Sequence, residues 1–420
     1  MVSTERVEMR GHILNSGALS RVLDEILASD GDYVLERLEV GRATENETLA
    51  RIAVSHGDDD VLHRILGRIQ QYGANPADET DVTTVPAPAD GVLPEGFHAS
   101  TNLETRVRID GSWVRVENPE MDCGIVINPA ANGLRPGPTA RTCPMADVLA
   151  GEQVVVGAKG VRVLIEKRDV IENDETVFEF MNSVVSSEKP QHLLVRQIAT
   201  GMRQVKAAGQ KILWVGGPAI VHTGAAPAFC ALIRAGWCDV LFAGNALAAH
   251  DIESSMFGTS LGVDLSRGSG VEHGHEHHLR AINRIRAAGS IRDAVDQGVL
   301  TSGIMYELVK AGVRFVLVGS VRDDGPLPDV VTDVIEGQRA MRAELPGVGY
   351  AIMVATMLHA IATGNLLPAS IPLVCVDINP ATVTKLADRG SAQATGIVTE
   401  IGLFTEQLAI ELVPGYRRGS

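Results

Sequence analysis

The stretch from Lys211 to Gly262 constrains the fold more than any other. It reads KILWVGGPAIVHTGAAPAFCALIRAGWCDVLFAGNALAAHDIESSMFGTSLG. Ile212 to Val215 is a short apolar run stopped by Gly216-Gly217, and Cys238 to Ala243 is a second, stopped by Gly244-Asn245. Between them, Pro227 to Ala235 has helical spacing, and Gly236 stands where a helix C-terminus favours a left-handed residue. Strand, glycine turn, helix, strand, glycine turn, helix implies two parallel strands joined by a crossover helix. Such sheets bind ligands beyond the carboxyl ends of their strands, and glycine there lets a ligand approach bare backbone. Free N–H groups at the next helix start favour a phosphate. These residues predict a nucleotide-type site without naming the nucleotide.

A chain of 420 residues is long enough for two or three domains. Glu5 to Leu14, Tyr33 to Val40 and Thr48 to Val54 have strand character, while Leu19 to Ala28 and Asp58 to Tyr72 have helical spacing. The order predicts a small α+β, split βαβ (ferredoxin-like) domain over residues 1–75, serving binding, assembly or structure alone. Asn75 to Glu95, rich in Pro, Asp and Thr, reads as a linker. Thr105 to Ile109 and Trp113 to Val116 flank Asp110-Gly111, a strong hairpin signal. With Gly124 to Ile127, Gln153 to Val156 and Val161 to Ile165 they make residues 96–185 a β-rich module. Glu120, Asp122 and Cys123 lie close together there, either as a strand end whose acids face water or as acids lent to a site on the next domain. Pro190 then opens a helix over Gln191 to Ala208. Residues 186–415 continue as a Rossmann-like α/β domain, with strands at Arg314 to Val318, Ala351 to Ala355, Leu373 to Asp377 and Ala394 to Val398. A helix is expected over Ser290 to Gln297, with Asp293 as its capping-box partner.

Composition removes other classes. A net charge of −15 argues against nucleic acid or an anionic membrane as the main partner. The start, MVSTERVEMR, has charges where a signal peptide needs an apolar core. The longest apolar stretch, Tyr350 to Ala362, is too short to cross a bilayer and contains His359. Five scattered cysteines without a C-x-x-C pair fit a reduced cytoplasmic protein rather than a disulfide frame or zinc site.

Each apolar run of the last domain ends in a distinctive turn: GGPAIVHTG, GNALAAHD, GSVRDDGPLPD, TMLHAIATGN and DINP. Five polar or glycine-rich ends on one sheet edge point to a nucleotide or cofactor. The candidates are Gly216, Gly217, Pro218, His222, Thr223 and Gly224; Gly244, Asn245 and Ala246; Gly319 and Ser320; Met357; and Asp377 with Asn379. An acid at a strand tip can take both ribose hydroxyls, which singles out Asp377. The fingerprint G-x-G-x-x-G is absent, so an ordinary Rossmann dehydrogenase is not the match. His222 and His250 each suit a helix cap, a phosphate contact or proton transfer. Asp323-Asp324 reads as a solvated turn, with Arg322 beside it able to hold a carboxylate. His273, His275, His277 and His278 lack a standard zinc spacing and read as a polar helix start, so no metal is expected.

The segments ENPEMDC, MNSVVSSEKP, GGPAIVHTG, GNALAAHDIESSMFGTSLGVD, GSVRDDGPLPDV and VCVDINPATVTKLADRGSAQATGIVTEIGLF resemble the NAD-dependent ornithine cyclodeaminase family. The family is also labelled LOR/SDH, and its module forms the C-terminal part of bifunctional arginine dihydrolase/ornithine cyclodeaminases. The resemblance runs from Glu8 to about Leu412. It implies a C-terminal NAD domain similar in shape to that of deoxyhypusine synthase, and NAD as cofactor. It also implies conversion of ornithine to proline and ammonia by hydride removal and return. Nothing resembles the guanidine-removing hydrolase domain, so arginine is not expected as a substrate.

With that chemistry implied, the strand-end candidates become NAD contacts. Asp251 or His250 becomes the proton-transfer group, Arg322 or Lys189 the cation for the substrate carboxylate, and Asp323 or Asp324 the acid for the distal ammonium. The alternatives are another NAD enzyme, lysine-ketoglutarate reductase or saccharopine dehydrogenase among them, and a non-catalytic NAD or amino-acid sensor. The small N-terminal domain and the β module also suggest a homo-oligomer.

Overall fold

The computed structural model describes residues 2–11, 13–14, 17–40, 48–78, 80–128, 137–164, 191–260, 263–264, 276–323, 325–388 and 394–417. The chain forms two compact units, residues 1–182 with 365–370, and residues 183–364 with 371–420.

The first unit opens with strands β1 (Ser3–Gly11), β2 (Asp32–Glu39), β3 (Thr48–His56) and β4 (Asn75–Pro76) in the antiparallel order β2-β3-β1-β4. Helices Ala18–Ala28 and Asp59–Gln70 supply Val22, Ile26, Ile65 and Ile69 to a core shared with Val7, Met9, Ile52 and Val54. This is the expected ferredoxin-like arrangement. The second helix starts where Asp58 accepts from the Asp60 and Val61 N–H groups.

The second sheet contains β5 (Thr83–Pro86), β6 (Thr105–Ile109), β7 (Ser112–Glu117), β8 (Gly124–Asn128), β9 (Thr139–Cys143), β10 (Gln153–Val156) and β11 (Val161–Val163). Its order is β11-β6-β7-β9-β8-β10-β5. Asp110 and Gly111 both take positive φ, 50° and 77°, as a two-residue hairpin requires. The linker expected over Asn75 to Glu95 is a misreading. Asn75–Pro76 pairs with β1, and Thr83–Pro86 pairs with β10. The Asn75 side chain also exchanges hydrogen bonds with Val163, at 2.7 and 2.8 Å, so this stretch joins the two sheets. Proline and polar residues had masked short edge strands that lack any period.

The second unit is built on β12 (Lys211–Gly216), β13 (Val240–Gly244), β16 (Arg314–Val318), β17 (Val330–Val331), β18 (Val348–Val354), β19 (Leu373–Asp377) and β20 (Ala394–Val398), with a small hairpin β14 (Thr259–Ser260) and β15 (Val263–Asp264) beside them. All main-sheet pairings are parallel, in the order β17-β16-β13-β12-β18-β19-β20. Ile212, Leu213, Trp214 and Val215 in succession are inaccessible, so both sheet faces are covered. The crossover helix Ala226–Arg234 closes with Gly236 at φ 78° and the Trp237 N–H returning to the Leu232 carbonyl. The strand order reverses direction between β12 and β18, and ligands of open parallel sheets bind at such a switch point. No helix among the described residues is long and apolar enough to cross a membrane.

Candidate active site

At the switch point two backbone segments pack closely. The Gly217 N–H donates to the Val354 carbonyl at 2.9 Å, and a Cβ on Gly217 would lie 1.7 Å from the Ala355 carbonyl oxygen. Ala355 itself sits at φ 56°, a left-handed conformation unfavourable for a residue with a Cβ. Strained residues of this kind gather at ligand clamps. The short helix Ala219–His222 follows, with Pro218 at its start and Thr223 and Gly224 (φ 76°) closing it.

At the tip of β13, Gly244 leads into helix Asn245–Phe257, which has no side-chain cap, so its first N–H groups remain for a ligand. Ala246 lies in that first turn. Asn245 is buried, and its Oδ1 accepts from the Leu327 N–H at 3.0 Å, fixing the loop after β16. A Cβ on Gly244 would lie 3.1 Å from His359 Cε1. His359, after β18, reaches across the sheet edge to the Val318 carbonyl, and burial keeps its imidazole below the ordinary value.

After β16, Gly319 and Ser320 form a turn closed by Asp323, whose carboxylate accepts from the Ser320 N–H at 2.8 Å. Arg322 is exposed there and makes no ion pair among the described residues. Met357 is half-buried just before helix Leu358–Leu366. At the tip of β19, Asp377 Oδ1 accepts from the Asn379 N–H at 2.8 Å. Asn379 in turn accepts from the Ala381 N–H at the start of helix Pro380–Asp388. Lys189, Asp324, His273 and His275 lie outside the described residues.

The two acid–base candidates part company. Asp251 is 2% exposed, and its oxygens accept from the Ile304 and Met305 N–H groups, both at 2.8 Å. Burial pushes its carboxyl up to about 6, against the lowering effect of those two N–H groups. Asp251 thus anchors helix Ile304–Ala311. His250 faces elsewhere. Its ring centroid is 5.0 Å from that of His222 and 6.2 Å from that of His278, and its Nδ1 is 3.0 Å from Glu253 Oε2. His222 Nδ1 lies 2.6 Å from Ser260 Oγ, and burial, then His250, hold it below the usual imidazole value.

Sequence reasoning missed His359, Ala355 and Glu253. Glu253 stands three residues after His250, a same-face helical spacing that was available to see. An alanine gives no sign of positive φ. Helix His277–Ala288 does begin at the expected histidines, yet His277 and His278 also join this cluster. Among the described residues no group of three or more His, Cys, Asp or Glu could hold a metal ion.

Three family models cover the chain. The arginine dihydrolase ArgZ-like C-terminal Rossmann fold matches residues 196–408, its first region 104–195, and the LOR/SDH bifunctional enzyme conserved region 4–103. An ornithine cyclodeaminase of Methanothermobacter thermautotrophicus is 50% identical over 411 residues, 98% of each chain. The chain belongs to the ornithine cyclodeaminase family. Among solved structures of ornithine cyclodeaminase relatives, apo ArgZ, a cyanobacterial arginine dihydrolase, superposes with TM-score 0.84 at 35% identity, covering 98% of this chain and 58% of that one. The ternary complex of AgrE with ornithine and NAD+ is 40% identical, TM-score 0.52, covering 98% of this chain and 57% of that one.

The exposed turn at Thr223 and Gly224, the helix at Gly244 without a side-chain cap and the strand-tip acid Asp377 suit a dinucleotide, and the family's ornithine cyclodeaminase identity implies NAD.

Proposed function

We propose that the chain is an NAD-dependent ornithine cyclodeaminase, converting L-ornithine to proline and ammonia. What carries this reading is a family member, 40% identical over 98% of this chain, crystallised with both ornithine and NAD+. Arginine dihydrolase activity is not transferred, because the chain spans 58% of the bifunctional relative from Nostoc.

NAD, when bound, takes the hydride from ornithine Cα and returns it to the cyclic imine left after the δ-amine has displaced ammonia, so no external oxidant is needed. The protein's tasks are orientation, exclusion of water and proton handling. Gly216 and Gly217 let the β12 tip pack closely on its neighbours, the exposed turn at Thr223 and Gly224 would admit the cofactor, and the N–H groups of Asn245 and Ala246 would meet its phosphates. Asp377 holds a ribose, with Asn379 fixing its loop. Gly319, Ser320 and Met357 border the same edge. His250 moves protons on and off the amines, and exposed Arg322 or Lys189 neutralises the substrate carboxylate. Asp323 is already committed to the Ser320 turn, so a role with the distal ammonium would share that carboxylate.

The five free, buried thiols fit a reducing cytoplasm. Val34, Leu35 and Leu38, exposed on edge strand β2, fit contact between copies of the chain, which light scattering measures. The deciding assay offers ornithine, lysine and saccharopine in parallel with NAD. Proline and ammonia from ornithine, without net NADH, is the expected result. Net NADH formation from saccharopine, or no product from any of the three, overturns the proposal.

A further inference from the structure

The proposed chemistry uses His250 but leaves a buried carboxylate behind it unexplained. Glu253 has a side chain with no exposure at all. Its Oε2 lies 3.0 Å from His250 Nδ1, and its Oε1 accepts the Thr259 hydroxyl at 2.9 Å. Thr259 Oγ1 is also 2.8 Å from His277 Nδ1, and the His277 ring stacks on Phe257 with centroids 4.9 Å apart. A threonine has one hydroxyl proton. Once that proton goes to Glu253, the oxygen can only accept from His277, which must then carry its proton on Nδ1. A carboxylate accepts only, so His250 also carries its proton on Nδ1, and its Nε2 is left as a lone-pair base.

We infer that Glu253, backed by Thr259 and His277, is a positioning residue that fixes the ring orientation and tautomer of His250, so that Nε2 faces the amine chemistry of this site as the lone-pair base. This rests on the ornithine reading above. The α-ammonium of ornithine must shed a proton before its Cα–H can leave as hydride. That proton goes to His250 Nε2, and Glu253 stabilises the imidazolium formed. The titratable groups facing the His250 ring among the described residues are His222 from the short helix, His278 from the helix starting at His277, and Glu253 on its own helix.

The test is Glu253→Gln, which keeps size and removes charge. Ornithine kcat is expected to fall about tenfold or more while NAD affinity and ornithine KM stay within roughly twofold. Independently of turnover, nitrogen NMR of histidine-labelled protein, assigned with His250→Gln, should show an Nδ1–H tautomer in the wild type. In Glu253→Gln that Nδ1–H preference should be lost. An Nε2–H tautomer in the wild type, an Nδ1–H tautomer that persists in Glu253→Gln, or a loss of kcat that only tracks NAD affinity and melting temperature overturns the assignment. Should Glu253→Gln fail to fold, Thr259→Val is expected to weaken the same Nδ1–H preference and Thr259→Ser to restore it, and no difference between them is equally fatal. A wild type that leaves ornithine untouched defeats the functional reading alone, because the NMR result stands without it.

Discussion

Gly217 and Ala355 form a matched pair with opposite mutational expectations. Gly217→Ala must move the Ala355 carbonyl or the turn itself, an overpacking cost of about 1–3 kcal/mol. A lower melting temperature and at least roughly tenfold weaker NAD binding by calorimetry are expected, and wild-type values for both would contradict the close packing at this sheet edge and its place beside the cofactor. Ala355→Gly relieves a left-handed residue and should leave melting unchanged or raise it by the equivalent of about 0.5–1 kcal/mol. Asp377→Ala removes the strand-tip acid. If the carboxylate holds a ribose, NAD affinity drops about tenfold or more while the melting temperature without NAD changes little. Unchanged affinity would remove Asp377 from the site.

Helix Asn245–Phe257 carries acids with separate duties. Asp251 satisfies two buried N–H groups of helix Ile304–Ala311, whereas Glu253 serves His250. Asp251→Ala should therefore destabilise by about 2 kcal/mol and speed amide exchange at Ile304 and Met305. Turnover per folded molecule should suffer far less than in His250→Gln, and the reverse ranking would return Asp251 to the chemistry. Local signals made much of this element level legible. Apolar runs marked the strands, Asp110-Gly111 marked a hairpin, and Gly216-Gly217 and Gly244-Asn245 marked the tips of β12 and β13. The sequence did not disclose which strands become neighbours. β18 pairs with β12 although some 130 residues separate them, a long-range choice made by packing. Nor did it disclose that Asn75–Pro76 would be a strand, since two residues carry no period. In the site, backbone access was visible through glycine, but the His250–Glu253–Thr259–His277 chain joins residues from three separate segments.

Over the whole molecule, buried histidines set the response to acid. Burial lowers His98, His222 and His359 below 6.5, each folded value lying under the unfolded one. The unfolded chain therefore binds protons first as pH falls. The stability they contribute is full above about 6.5 and is lost as pH drops through their lowered folded values. Asp251 works in the other sense, since its folded value near 6 lies above 3.8, so its stabilising effect grows as pH falls through about 6 toward 4. Melting followed by calorimetry from pH 7.5 to 5.5 should show a decline that His98→Gln and His359→Gln each reduce. A profile that neither substitution changes would deny that these rings are neutral in the folded chain. Residues 365–370 have another consequence. They fold with the first unit, where the Asn365 carbonyl accepts from the Met121 N–H and the Ala369 N–H donates to the Asn102 carbonyl. Cutting the gene at residue 183 therefore cannot yield two self-sufficient halves: the front piece would lack a stitch that is encoded only in the back piece.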